Sequence, residues 1–212
     1  MNVHPRLNLM LIGPPGCGKG TQSVNLSRRY NLLHFSTGNA LREQIKLGTP
    51  LGLRVEEFLS KGLLVPDDVM IDLVRNTVEG LPPGQGLLLD GFPRTIPQAT
   101  ALEDILPLSG VIAMEIEDEV LVERITGRRI AEDGATYHIK FAPPPDGVMV
   151  TQRPDDTEAV VRERLRVYHN QTAPLVDFYR ERKLLHTVSA DGAIEEVENS
   201  ITAAVDQLVA TA

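Results

Sequence analysis

Residues 13–21 read G-P-P-G-C-G-K-G-T and have the types and spacing that bind a chain of phosphates. They contain G-x-x-x-x-G-K, with Gly13, Gly18 and Lys19 at the defining positions. In such a loop the glycines let successive backbone N–H groups point inward at phosphate oxygens, and the lysine reaches the β- and γ-phosphates. The Ser/Thr that usually follows the lysine is Gly20 here. The segment therefore predicts a nucleotide-phosphate site. Cys17 within it is either a reactive thiol or a residue that contributes only backbone and small volume.

The loop needs a strand before it and a helix after it, and the flanking residues predict both. Residues 7–12 are a short apolar run, typical of a buried parallel strand. Further strands are predicted at 33–36, 86–90, 111–116 and 184–188. Helices are predicted at 20–30, at 38–78 with breaks at 48–50 and near Gly62 and Pro66, at 118–129 with Asp118 as N-cap, at 156–181 with an interruption at Pro174, and at 194–209. This alternation predicts an α/β fold with a parallel, doubly wound sheet between helices.

Residues 127–156 do not fit that alternation. They include a proline run at 142–147 and short β-like pieces at 135–141 and 148–151, without a long amphipathic helix. We interpret them as a small lobe inserted into the core domain, with the prolines at a turn or an edge.

Composition restricts the function class and the compartment. The chain has 212 residues and a formal net charge of -8, which argues against non-specific nucleic-acid binding. The apolar run 7–12 is too short for a signal peptide or a membrane span. The single cysteine cannot form an internal disulfide, so we expect a reducing, cytoplasmic location. The sequence pattern shows no obvious apolar surface that a second subunit would have to cover, so we expect a monomer.

Three further segments carry a family resemblance: S-T-G-N-A-L-R at 36–42, L-D-G-F-P-R-T-I-P-Q at 89–98, and G-R-R at 127–129 with Y-H at 137–138. Together with the phosphate loop they resemble the long-lid adenylate kinases, P-loop nucleoside monophosphate kinases, over almost the whole chain. D-G-F-P-R-T-x-x-Q is the most specific of them. The resemblance implies a P-loop NTPase-like three-layer fold with a five-stranded parallel sheet. It also implies reversible phosphoryl transfer from Mg-ATP to AMP, giving two ADP, in adenine nucleotide homeostasis.

The resemblance further implies one kinase domain over 1–212 with two lobes on its core. Residues 36–65 would form a helical lobe that binds the monophosphate, and residues 127–156 a small β-like lid over ATP. The implied catalytic residues are Lys19, Arg94, Arg128, Arg153 and Arg164. The implied ATP-binding residues are Gly16, Cys17, Gly18, Lys19, Gly20, Thr21, Arg124, Arg128, Thr136 and Tyr137. The implied AMP-binding residues are Thr37, Arg42, Leu63, Leu64, Val65, Gly91, Phe92, Pro93, Arg94, Gln98, Arg153 and Arg164. Asp90 would position Mg²⁺, through water.

The chemistry of phosphoryl transfer agrees with this set of residues. An AMP phosphate is already anionic at neutral pH, so no catalytic triad is required. The enzyme has to align two polyanions and neutralise charge on the transferring group. Arginine suits phosphate oxygens because its planar fork stays charged. Gln98 suits a purine edge because its amide offers a donor and an acceptor.

The sequence departs from the family pattern at two places. Asn39 stands where the family usually has aspartate, so a salt bridge behind the phosphate clamp that the family would imply is in doubt, and we expect a changed closing equilibrium with activity retained. The lid is shorter between Pro144 and Arg153 than in typical long-lid members. It has no cysteine and one histidine, His138, so we expect no structural zinc. We expect Tyr137, His138 and neighbouring polar groups to hold the lid by hydrogen bonds and packing.

Other interpretations remain open at this point. A pyrimidine monophosphate kinase is the nearest alternative, but those relatives usually carry asparagine where Thr95 stands, and a short lid. A GTP switch would need an N-K-x-D-like segment, which does not appear after the third strand. A non-catalytic relative would need few of the arginines. Taken singly, Arg124, Arg129, Arg162 and Arg166 could be solvated helix charges, and Asp155 and Asp156 either lid-hinge partners or the N-cap of the next helix.

Overall fold

The computed structural model describes residues 6–211; residues 1–5 and 212 of the predicted single domain lie outside that description. The strands are β1 Asn8–Ile12, β2 Leu32–Ser36, β3 Gly86–Asp90, β4 Gly110–Glu115, β5 Arg128–Ala131, β6 Thr136–His138, β7 Val150–Thr151 and β8 Leu185–Ser189. The α-helices are α1 Lys19–Tyr30, α2 Thr37–Lys46, α3 Pro50–Ser60, α4 Asp67–Glu79, α5 Ile96–Ile105, α6 Asp118–Thr126, α7 Glu158–Val167, α8 Leu175–Glu181 and α9 Ile194–Thr211.

Five strands form one parallel sheet in the order β2-β3-β1-β4-β8. The strands β1 and β3 are buried along their whole length, as a parallel sheet covered on both faces requires. Successive side chains of β1 point to opposite faces. Leu9 and Leu11 pack with α1, α6, α7 and α9, whereas Met10 and Ile12 pack with α2–α5 and α8. The predicted three-layer α/β fold with a five-stranded parallel sheet is thus confirmed.

The helices follow the predicted breaks with two shifts. Helices α2, α3 and α4 are separated near residues 48–50 and 62–66, as predicted. Helix α6 ends at Thr126, three residues earlier than expected, because residues 128–131 pair with β6 as strand β5. The residue that caps its N-terminus is Glu117, and Asp118 is already helical.

The predicted 156–181 helix is two separate α-helices, α7 and α8, rather than one helix with a kink. A 3-10 turn covers Pro154–Asp156, and a π-helical stretch covers Tyr168–Thr172 between α7 and α8. Within it the N–H of Ala173 bonds the carbonyl of Tyr168 at 2.8 Å. Because Pro174 has no N–H to donate, the backbone cannot continue the i to i−4 pattern there. The interruption therefore begins before the proline.

A second sheet lies within residues 127–156. It is antiparallel, with the order β6-β5-β7, and it is separate from the main sheet. Between residues 6 and 211 no helix combines the length and apolar character that a membrane crossing requires.

Candidate active site

The phosphate loop joins the carboxyl end of β1 to the N-terminus of α1. Gly18 caps that helix with φ 101°, in the left-handed region that side chains disfavour. The Lys19 ammonium donates to the carbonyls of Gly13 at 2.7 Å and Pro14 at 2.9 Å. The lysine is thus folded across the loop beside the positive end of the helix, where anions are favoured. The Cys17 thiol is 2% exposed and 3.6 Å from the Lys19 ammonium.

Asp90 ends the strand that neighbours β1. It lies in register with Leu11 on one side and Ser36 on the other, so three carboxyl ends of parallel strands meet there. Burial by itself would raise the pKa of Asp90, but the His34 ring, whose Nε2 atom lies 3.5 Å from Asp90 Oδ2, and the positive charges of Lys19 and Arg94 outweigh it. The net result is a pKa below the ordinary value. An ionised carboxylate therefore lies beside the phosphate loop.

Five arginines come from five different parts of the chain and surround two aspartates. The Arg128 guanidinium forms a two-pronged ion pair with Asp156, with Nε to Oδ2 at 2.8 Å. The Arg164 Nη1 atom is 3.0 Å from Asp155 Oδ2, and the Arg42 Nη1 atom is 4.0 Å from the same oxygen. The two other cations of this arginine cluster are Arg94 and Arg153.

The five arginines of the cluster carry more positive charge than the two aspartates can neutralise. Partial burial lowers the pKa of Arg42, Arg153 and Arg164, and neighbouring arginines lower each of them further. For Arg153 these effects bring the pKa to about 10, with Arg42 and Arg128 as the neighbouring cations. Every guanidinium stays charged at neutral pH. Repulsion among cations is relieved when an anion binds between them, so the cluster favours a polyanionic ligand.

A cavity beside the arginine cluster brings together nine of the twelve predicted AMP-binding residues. They are Thr37, Arg42, Leu63, Leu64, Val65, Gly91, Arg94, Gln98 and Arg164. Phe92 and Pro93 are instead buried behind the wall, and Arg153 belongs to the adjoining cluster of charges. A Cβ on Gly91 would lie 2.9 Å from Thr37 Oγ1 and 3.0 Å from Arg94 Nη2. Because Gly91 also has φ 85°, in the left-handed region, a larger residue there would be strained and would crowd both side chains.

Gln98 lies in the cavity wall with both ends of its amide engaged. Its Oε1 atom accepts from the Arg94 N–H at 2.7 Å, and its Nε2 atom donates to Asp67 Oδ1 at 2.6 Å. The Thr95 hydroxyl donates to the other oxygen, Asp67 Oδ2, at 3.1 Å. Sequence reasoning missed Asp67, because an acidic residue in the first turn of a helix usually only complements the helix dipole.

The remaining wall residues were also not predicted from the sequence. They are Gly38, Leu41, Leu59, Gly62, Met70 and Asp155. Gly38 and Leu41 lie within the 36–42 motif, and Leu59 and Gly62 lie within the 36–65 segment. Met70 and Asp155 lie outside both, and their place in the wall follows only from the tertiary structure.

The other predicted residues lie around these two centres. Arg124 Nη1 donates to the Ala190 carbonyl at 3.2 Å, at the end of β8. Thr136 and Tyr137 lie on β6 of the second sheet. Asn39 accepts a hydrogen bond from Arg42 Nη2 at 2.9 Å, so the amide still contacts the phosphate-binding candidate. Arg162 and Arg166 form surface pairs with Glu158 and Glu163, in agreement with their interpretation as solvated charges.

The two aspartates before α7 act as ion-pair partners and do not cap that helix. Its N-cap is Thr157, which makes no side-chain cap hydrogen bond. His138 in the second sheet accepts from the N–H groups of Lys140 and Phe141, both at 3.0 Å, and stacks on the Phe141 ring at 4.4 Å. Across residues 6–211 no group of three or more His, Cys, Asp and Glu side chains could hold a metal ion.

Comparison with known proteins places this geometry in a family. The family model described as "Adenylate kinase" matches residues 11–184. An adenylate kinase of Clostridium perfringens strain SM101 is 45% identical over 208 residues, covering 92% of this chain and 96% of that protein. One of Moorella thermoacetica is 46% identical over 204 residues, covering 90% and 94%. One of Methanocella arvoryzae is 42% identical over 215 residues, covering 95% and 100%.

Proposed function

The chain belongs to the adenylate kinase family, and from that premise we propose that it transfers the terminal phosphoryl group of ATP reversibly to AMP, giving two ADP. The enzyme class is that of a phosphotransferase. The observation that carries the proposal is the neighbourhood of two anion sites, the phosphate loop with Lys19 and the cavity with Arg42 and Arg94. Asp90 lies near Lys19, and the next residue, Gly91, lies in the cavity wall. The two anion sites therefore adjoin each other.

The donor nucleotide is assigned to the phosphate loop. The backbone of Gly16–Thr21 and the N-terminus of α1 would hold its phosphates. The Lys19 ammonium would exchange its two carbonyl partners for phosphate oxygens, because a charged acceptor makes the stronger bond. Arg124, Thr136 and Tyr137 are assigned to the adenosine side of ATP by family resemblance.

The acceptor nucleotide is assigned to the cavity. Arg42 and Arg94 would clamp the AMP phosphate with their planar forks, and Gln98 would pair with the base. The backbone of residues 63–65 and Thr37 line the same cavity. The excess of positive charge in the arginine cluster supports this assignment, because the cluster gains most from a ligand that brings phosphate.

Transfer then needs charge neutralisation and no general base. Arg128, Arg153 and Arg164 would surround the transferring group, and such preorganised donors are each worth about 10²–10³ in turnover. The two segments 36–65 and 127–156 would close over the nucleotides and exclude water, which otherwise competes for the phosphoryl group. Both lobe assignments rest on the family resemblance and on the position of the second sheet.

Magnesium fits this site as a partner of the nucleotide. Asp90 offers an ionised oxygen donor, the ligand type that Mg²⁺ prefers, and within residues 6–211 it belongs to no group of three or more such metal-binding side chains. A single carboxylate is suited to hold the hydrated ion beside the phosphates, which supply the other ligands. When bound, the ion neutralises charge on the β- and γ-phosphates. The residues of the chain bind and orient the two nucleotides around it.

The test is ADP formation from ATP with each of AMP, UMP, CMP and GMP, with magnesium and with EDTA. We expect fast, magnesium-dependent turnover confined to AMP. Preference for UMP or CMP would retain the phosphate clamp and overturn the assignment of Gln98. Folded protein that binds ATP but turns over no acceptor would make it a non-catalytic relative. The monomeric state and a cytoplasmic location remain predictions, the first open to light scattering.

A further inference from the structure

Asp67, a residue of α4 outside the family motifs, contacts the amide that is assigned to the AMP base. Its Oδ1 atom accepts from Gln98 Nε2 at 2.6 Å, and its Oδ2 atom accepts from the Thr95 hydroxyl at 3.1 Å. Gln98 is 2% exposed and lies in the cavity wall. Asp67 thus connects the start of α4 to the start of α5 through a side chain that borders the cavity.

A glutamine amide has two ends of equal shape and opposite hydrogen-bonding character. A half turn of the side chain exchanges the acceptor Oε1 for the donor Nε2. An unrestrained glutamine can therefore accept from the 6-amino group of adenine or donate to the 6-oxo group of hypoxanthine. A free amide would discriminate poorly between these bases.

In this structure both neighbours of the amide demand the same orientation. The Asp67 carboxylate can only accept, so it pairs with Gln98 Nε2. The backbone N–H of Arg94 can only donate, so it pairs with Gln98 Oε1 at 2.7 Å. A flipped amide would set oxygen against carboxylate and N–H against N–H. One hydrogen of Nε2 and one lone pair of Oε1 are left for a ligand.

Asp67 is itself held in place. Thr95 donates to its second oxygen while accepting the Gln98 N–H at 3.3 Å as the N-cap of α5. The carboxylate also lies in the first turn of α4, where the helix N-terminus stabilises negative charge. Both oxygens of Asp67 are therefore engaged, and the carboxylate cannot turn away from Gln98.

We propose that Asp67 is a specificity-determining positioning residue, which locks the Gln98 amide in the orientation that accepts from a 6-aminopurine and repels a 6-oxopurine. The inference rests on the proposed role of Gln98 in reading the AMP base. A site that is built to accept a substrate N–H rejects an analogue with an acceptor there, because the opposed oxygens are left unpaired.

The test compares AMP with IMP, which replaces the 6-amino group by a 6-oxo group. The variant is Asp67→Asn, because an asparagine amide can turn to donate or to accept and releases the lock. The matched control is Asp68→Asn, the same change at the next residue, which is exposed and 3.9 Å from Arg54. We expect Asp67→Asn to lower the ratio of kcat/KM for AMP to that for IMP by about tenfold or more, partly through a gain with IMP. The KM for ATP and the ratio in the control should stay unchanged.

Several results would overturn the inference. If AMP and IMP lose kcat/KM equally in Asp67→Asn, the residue only supports the fold. An unchanged ratio in a folded variant would also refute the lock. If Asp67→Asn does not fold, Thr95→Val removes the donor to Asp67 and should lower the ratio in the same direction; an unchanged ratio there refutes the lock.

Gln98→Ala separates this inference from the proposed function. Loss of the AMP preference in Gln98→Ala, together with loss in Asp67→Asn, supports both. If Gln98→Ala loses the preference and Asp67→Asn keeps it, the lock is wrong and the base-reading role stands. If Gln98→Ala keeps the preference, the base is read elsewhere, and both the role of Gln98 and the lock fall while phosphoryl transfer stands.

Discussion

Arg128 and Asp156 join the two ends of the 127–156 segment through a two-pronged ion pair, with Arg128 Nε 2.8 Å from Asp156 Oδ2. The Asp156 side chain is fully buried. The Gln152 amide reinforces the junction by donating to the carbonyls of Thr126 and Asp156, each at 3.1 Å. The segment therefore enters and leaves the core at one point, which is fixed by a buried carboxylate.

Removal of that carboxylate should be costly. We expect Asp156→Ala to lower the free energy of unfolding by about 3–5 kcal/mol, because Arg128 is left without its buried partner. The measurement is urea denaturation. Glu158→Ala serves as the control, since it breaks an exposed pair with Arg162 and should cost about 1 kcal/mol or less. Equal losses in the two variants would contradict the structural role of the pair.

Lys19→Ala should reduce turnover by at least about 100-fold while the fold persists, because it removes the cation that we assign to the transferred phosphate. Steady-state ADP formation and thermal melting would measure the two effects. Lys61→Ala, at an exposed lysine paired with Glu57, should leave both unchanged. A folded Lys19→Ala enzyme with near-normal turnover would rule out the assignment of the phosphate loop.

Arg94→Ala should weaken AMP use far more than ATP binding. The loss of a charge-assisted contact predicts a rise of about 10- to 100-fold in the KM for AMP. Nucleotide titrations of the variant would check this, with Arg75→Ala, at an exposed arginine of α4, as the control. A parallel loss of ATP affinity would place Arg94 between the nucleotides rather than in the AMP clamp.

The lowered pKa of Asp90 predicts a specific dependence of stability on pH. A carboxylate whose pKa is depressed on folding stabilises the protein above its ordinary pKa of 3.8, and this contribution is lost as pH falls below that value. The difference in unfolding free energy between the parent and Asp90→Asn should therefore shrink as the pH falls below about pH 4. The control Asp146→Asn, at an exposed site, should show no such change. A difference that grows in acid would mean that the pKa is raised.

The sequence predicted the fold because each element carries a local signal. Strand β1 is a continuous apolar run before glycines, and helices α2 to α4 are divided by Gly and Pro. The end of α6 was wrong, since the residues of β5 adopt a strand through pairing with β6, which no local pattern encodes. Tertiary contact decided that boundary.

The site residues likewise fall into those that a motif identifies and those that only the tertiary structure identifies. Lys19, Arg42 and Arg94 could be named because they belong to motifs with a fixed phosphate chemistry. Asp67 could not be found in this way, since its contact with Gln98 depends on how the first turn of α4 lies against the first turn of α5. Asp155 and Asp156 had two open interpretations, and only the positions of Arg164 and Arg128 decide for ion pairing.

The junction of Arg128, Asp156 and Gln152 also bears on how such chains diverge. Because both ends of the segment meet at one fixed point, the turn at residues 143–149, between β6 and β7, can lengthen or shorten between unmoved anchors. Each doubling of such a loop changes the closing entropy by only about 0.6 kcal/mol. We expect insertions and deletions to accumulate in this turn without disturbing the cluster of arginines.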